Sequence, residues 1–250
     1  LGNIMSKDMP MGSRNTFDYF SLAQYHLPAA ATDPEAKGFD FAMDTINCCP
    51  HLGTHMDCFS HVYQDGKTFE ETKASDILGV YGWEKYTSES VPPIIARGVM
   101  IDIAEYLGVD IVPDGFVIDE NVLAAAVEQQ GIELRQGDVV LIRTGKQAEY
   151  LKGDENYFSR QCGIVASGAI WLYERGMILL GSDTSATDPM PMVQGNITHE
   201  AMLIQRGVHV IEILDLDELA KDKVREFTFI GLSIKIKGAT GAWLRPVAIV

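Results

Sequence analysis

The chain has 250 residues, 46% of them apolar, with a formal net charge of −15. That length and apolar content suffice to bury a substantial core in one large domain. The negative balance opposes nucleic acid and anionic membrane as partners, because both are met by clustered Lys and Arg, and apolar stretches such as Met177–Leu180 fall far short of the ~20 residues of a membrane span.

No internal repeat, low-complexity tract or Gly/Ser linker divides the sequence, so residues 1–250 are expected to form a single domain. Cys48, Cys49, Cys58 and Cys162 show no regular spacing, which argues against a disulfide framework and makes the cytoplasm the expected compartment. The chain starts at Leu1, so a segment removed ahead of it is compatible with the sequence.

Residues 22–38, with Ala29-Ala30-Ala31 followed by Thr32, Asp33, Pro34 and Gly38, read as a helix or loop excursion over the surface and as the segment expected to be most mobile. Phe17, Tyr19, Phe20 and Tyr25 could line an apolar pocket, although aromatic residues at such spacings more often simply pack. His26 and His209 lack donor neighbours in sequence and read as surface or satisfied core residues.

Between positions 51 and 61 the chain concentrates three of its six histidines, His51, His55 and His61, together with Asp57, around Gly53. That donor density suits a divalent cation. A helix would rotate Asp57 about 200° away from His55, so it cannot gather the set. An extended strand puts 51, 55, 57 and 61 on one face but separates His51 from His55 by about 13 Å, whereas ligand atoms must lie within roughly 4 Å of one another. The segment is therefore expected to bend between His51 and His55, with Gly53 taking the unusual dihedrals, and to continue as a strand that places His55 and Asp57 together. A lone histidine is usually a half-buried residue near a turn; four donors at these spacings point to a site.

Further along, Asp119 precedes an alanine-rich run over 120–130 that ends at Gly131, which predicts a capped helix. Val139 to Ile142 reads as a buried strand. A second helix is expected from Ser167 to Gly176 with a strand over 177–180, and a third from Glu200 to Gln205, capped by Thr198, with a strand over 208–213. Residues 227–236 and 247–250 add strands. Alternating strands and helices predict a mixed α/β or α+β arrangement of sheet and helices. Asp183 and Asp188 beside Thr184, Ser185 and Thr187 fit a turn before Pro189 better than a site.

The segment His51-x-Gly53-Thr54-His55-x-Asp57-x-x-x-His61 resembles the signature of the metal-dependent cyclase family, which includes kynurenine formamidase and isatin hydrolase. It departs at Phe59, where that family usually carries proline, and no donor is altered. Residues 137–145, 181–184, 207–216 and 241–246 also look like family blocks in family order, so the resemblance covers the chain from about Phe41 onward and residues 1–40 only weakly. It implies a swivelling β/β/α fold with a central barrel-like sheet flanked by helices. It further implies that His51, His55 and Asp57 ligate a divalent metal and that His61 is the acid/base, a role that suits an imidazole because its pKa lies near working pH. His199 and Glu212 match a second-metal pair of some family members, against the alternative of a helix-terminal histidine and a solvated glutamate. One metal, and two if that pair serves, is thus expected, with zinc and manganese both compatible.

One Asp and two imidazoles leave positions open for water, as catalytic sites do. The expected activity is hydrolysis of a C–N bond in a small formamide or cyclic amide, in a homo-oligomer with a small-molecule substrate. Alternatives are a metal-dependent lactone or ester hydrolase, a non-catalytic metal- or ligand-binding protein, and, less favoured, an Fe(II) oxygenase. Gly-x-Ser-x-Gly, P-loop and Gly-x-Gly-x-x-Gly motifs are missing, which removes support for serine hydrolase, P-loop and dinucleotide readings. Cys58 occupies a variable signature position and reads as a bystander.

Overall fold

The computed structural model describes residues 1–10, 20–28, 35, 40–154 and 156–250. Eight strands form the main sheet in the spatial order Gly241–Trp243, His55–Asp57, His209–Glu212, Leu179–Ser182, Val139–Arg143, Ile94–Asp102, Glu226–Gly231 and Val247–Ile249. The four middle strands, from His209–Glu212 to Ile94–Asp102, run parallel, and two antiparallel strands continue the sheet on either side. The sheet curls into a half-barrel flanked by helices, the mixed α/β architecture expected of the sequence.

Parallel strands are covered on both faces, which is why Val139–Ile142 is a continuous apolar run rather than an alternating one. On one face Val99, Ile101, Val140, Ile142, Leu180 and Val210 pack with the helices. Their sequence neighbours Met100, Val139, Leu141, Leu179 and Ile211 face the other way and close on Met56, Phe227, Phe229 and Leu244.

Asp119 caps the helix Glu120–Gln129, accepting the backbone N–H groups of Asn121 and Val122 at 3.0 Å. The second helix expected from the sequence begins at Ala166, one residue before Ser167, and runs to Glu174. The helix expected over Glu200–Gln205 is a single π-turn, Glu200–Ile204, in which Gln205 N–H reaches Glu200 O at 3.2 Å. The strand expected over 227–236 stops at Gly231, beyond which Leu232 and Ile234 are exposed.

One expectation is corrected outright. Phe20–Pro28 is neither helix nor loop but a strand paired antiparallel with Asp40–Cys48 as a separate ribbon. Phe20, Leu22 and Gln24 lie on one face and Ser21, Ala23 and Tyr25 on the other, and because each face mixes apolar with polar side chains the segment shows no period of two in its sequence. Residues 29–34 and 36–39, including that run, lie outside the described residues, as do Phe17 and Tyr19 and the side chain of His26. Phe20 packs against a small cluster that includes Met9 and Leu52, and Tyr25 is exposed.

Candidate metal centre

Gly53 takes φ +68°, and a Cβ there would stand 3.1 Å from Met5 Cγ. This left-handed residue turns the chain between His51 and the strand His55–Asp57, which lies between His209–Glu212 and Gly241–Trp243. The antiparallel register sets Glu212 opposite His55 and Val210 opposite Asp57. Cross-strand partners share a face, as do residues two apart along a strand, so His55, Asp57 and Glu212 converge while Met56 and Ile211 enter the core behind them. Thr54 fastens the bend: its hydroxyl donates to Ile213 O at 2.6 Å and accepts Asn3 N–H at 2.9 Å.

Around Asp57 the donors gather closely. His51 Nδ1 lies 2.8 Å and His55 Nε2 3.4 Å from Asp57 Oδ1. His199 Nε2 is 3.4 Å from Asp57 Oδ2 and 3.2 Å from Glu212 Oε1, and His55 Nε2 is 3.6 Å from Glu212 Oε2. The His61 ring stacks on His51 with centroids 4.0 Å apart. Among the described residues two sets meet cation-site spacing and share Asp57: His51, Asp57 and His61, and His55, Asp57 and Glu212. All six side chains singled out in the sequence thus meet at one place.

The ring nitrogens turned away from Asp57 are also held. His55 Nδ1 is 2.8 Å from Gly53 O, His51 Nε2 is 2.9 Å from Thr240 Oγ1, and His199 Nδ1 is 2.6 Å from Asp188 Oδ2. Such outer partners fix ring orientation in metal-ligating histidines. Neither Thr240 nor Asp188 was marked as a site residue in the sequence. Asp188 had read as turn chemistry, yet it is fully buried. Asp183 is buried as well and accepts Thr144 N–H, Thr144 Oγ1–H and Gly145 N–H.

A divalent cation fits these residues. Asp57 Oδ2 is buried and accepts no hydrogen bond from any described residue, despite His199 nearby. Two carboxylates and two Nε2 atoms face one space, an arrangement that needs positive charge between them, whether protons or a metal ion. Burial would disfavour protonated His55 and His199, but hydrogen bonds and the charges of Asp57, Asp188 and Glu212 outweigh it and raise both pKa values. Burial would likewise raise the Asp57 carboxyl, and the surrounding histidines instead hold it well below the carboxylate range. Burial pushes His61 down to about 3, so its ring is neutral near pH 7.

His51, His55, His61, His199 and Glu212 line a cleft of about 450 Å³. Leu52, Val62, Phe158, Met192, Ile197 and Ile204 supply apolar wall, and neither Phe20 nor Tyr25 lines it. Phe59 stacks on His209 at 4.1 Å between centroids, and His209 Nδ1 donates to Asp57 O at 2.8 Å, so His209 is a satisfied core residue. Burial pushes the Cys58 thiol up to about 12, which leaves it protonated and unreactive.

The Cyclase family model, described as "Putative cyclase", matches residues 5–189. The chain belongs to the cyclase family. Among solved structures, a novel cyclase is 24% identical over 100% of this chain and 85% of its own, with a TM-score of 0.87. An isatin hydrolase bound to the product analogue thioisatinate is 18% identical over 100% of this chain and 90% of its own, at a TM-score of 0.72. Isatin hydrolase A from Labrenzia aggregata, bound to benzyl benzoate, is 20% identical over 99% of this chain and 91% of its own, at a TM-score of 0.70. At these identities the likeness speaks for the cyclase fold. No curated protein sequence matches the chain. No helix among the described residues is long and apolar enough to cross a membrane.

Proposed function

We propose that this cyclase-family chain is a metal-dependent hydrolase that opens a C–N bond in a small formamide or cyclic amide. The observation that carries the reading is the convergence on Asp57 of His51, His55, His199 and Glu212, with an orphaned carboxylate oxygen at its centre. As the resemblance implies, His51, His55 and Asp57 would hold a first divalent ion, and His199 and Glu212, with Asp57 shared, a second, although the spacing itself groups His51 with His61 and His55 with Glu212 around that Asp57. Zinc and manganese both suit imidazole and carboxylate donors. Such an ion, when bound, lowers the pKa of water toward about 7 and polarises a carbonyl oxygen.

The chain's own residues supply the rest. Neutral His61, stacked on His51, is the group placed to pass a proton between water and the leaving nitrogen. Gly53 O and Thr240 Oγ1 keep the rings of His55 and His51 turned toward Asp57. Phe158, Met192 and Ile204 give the cleft apolar wall against which the carbon skeleton of a small substrate can pack. The resemblance in the signature extends the proposal to a homo-oligomer in the cytoplasm.

The test is hydrolysis of N-formylkynurenine, isatin and an aryl lactone by protein stripped with chelator and reloaded with Zn²⁺ or Mn²⁺. Metal-dependent turnover of an amide is expected. Turnover of the lactone alone would replace the amide reading with an ester one, and no turnover of any substrate in the loaded protein would remove it.

A further inference from the structure

Asp188 has no exposed surface and spends both carboxylate oxygens on two consecutive residues. Its Oδ1 accepts Thr198 N–H at 2.6 Å; its Oδ2 accepts His199 N–H at 3.1 Å and lies 2.6 Å from His199 Nδ1. The segment carrying it is itself clamped. Gln161 Nε2 donates to Asp188 O at 2.7 Å, and the backbone passes so near Gly163 that a Cβ there would lie 2.3 Å from the Asp188 carbonyl carbon.

A carboxylate in this position can only accept, so His199 Nδ1 carries the hydrogen. The Nε2 atom then points at Asp57 Oδ2, 3.4 Å away, and Glu212 Oε1, 3.2 Å away. We propose that Asp188 is a positioning residue, which fixes the tautomer and orientation of His199 so that Nε2 is presented as a cation ligand between Asp57 and Glu212. The inference rests on the metal-centre reading and adds to it a residue outside the signature segment.

Capping alone does not account for the contact. The bonds to the backbone N–H groups of Thr198 and His199 are capping contacts, but the ring Nδ1–H falls on Oδ2, the oxygen that also accepts His199 N–H. Asparagine has a single oxygen and cannot serve both places, so the informative change is Asp188→Ala, which leaves Nδ1 without an acceptor and lets the hydrogen move to Nε2, where it blocks ligation.

The experiment is Zn²⁺ titration of the purified full chain against a chromophoric chelator, with His199→Ala and the double variant alongside. Asp188→Ala is expected to weaken the ion that depends on His199 by about 10–100-fold, and to cause no further loss in the His199→Ala background. Unchanged affinity in Asp188→Ala, or an equal loss with and without His199, would overturn the positioning role. A wild-type chain that binds no Zn²⁺ would instead overturn the metal centre itself. Should Asp188→Ala fail to fold, nitrogen-15 histidine spectra of the Zn²⁺-loaded wild type decide: a protonated His199 Nδ1 is expected, and ligation through Nδ1 would sink the proposal.

Discussion

A carboxylate as deeply buried as Asp57 is tolerable only with positive charge or hydrogen-bond donors around it. His51, His55, His61 and His199 all act on it, yet one of its oxygens stays unsatisfied among the described residues. Loss of Asp57 therefore removes the hub of both candidate cation seats: Asp57→Ala is expected to lose bound metal and activity together. His61→Ala should keep its metal and lose about 10²–10⁴-fold in kcat, with metal content and steady-state rates read on the same preparations. A fully active His61→Ala protein would contradict the proton-transfer role. The sequence made His51, His55, Asp57 and His61 legible because they lie within eleven residues and the bend they need falls on a glycine. Thr240 and Asp188 stayed hidden, since a threonine and an aspartate in loops carry no local mark of the ring they will touch.

Strand register brings the distant donors in. Glu212 reaches His55 because the two are direct partners across an antiparallel pair, and on the other side Gly241 pairs with Asp57. Chain separation of more than 150 residues gave no hint of either pairing; the resemblance, together with the helix-then-strand reading of 198–213, placed His199 and Glu212 near the cleft. Gly241 allows the close approach of His51, since a Cβ there would meet His51 Cε1 at 2.6 Å. The ring is pinned between Asp57 and Thr240 and has little room to yield. Gly241→Ala is accordingly expected to fold but to displace His51 and weaken Zn²⁺ by about 10-fold or more, measured by chelator competition. Wild-type affinity would show that His51 has slack the contacts do not reveal. Helix positions were read well where a cap was explicit, as at Asp119. The ribbon Phe20–Pro28 was not, because over Phe20–Tyr25 both faces mix apolar and polar side chains and no period of two shows.

Across the whole molecule, folding, protonation and cation binding draw on the same side chains. His55 and His199 have pKa values raised above 6.5 by their carboxylate partners. A base with a raised folded-state pKa stabilises fully below its unfolded pKa, and that contribution is lost as pH rises through the folded value. Chelated protein should thus lose stability from about pH 6.5 upward. Metal binding runs the other way, because protons compete with the ion for the same nitrogens, and a ligand at 100 times its Kd adds about 2.7 kcal/mol. The gap in Tm between Zn²⁺-loaded and chelated protein is expected to widen between about pH 6 and pH 8. A gap that narrows would place the ion elsewhere than on these histidines. The fold class was legible from the strand–helix alternation and the buried run Val139–Ile142, whereas the curl of the sheet depends on strand order, which local patterning does not encode.

Anomalous diffraction at the zinc or manganese edge, on crystals of the loaded chain, tests the central claim most directly. The account predicts a peak about 2.0–2.2 Å from Asp57 and from imidazole nitrogens of the cluster. Crystals that show His51, His55, His199 and Glu212 closed on Asp57 by hydrogen bonds alone, with no peak among them at saturating metal, would contradict it.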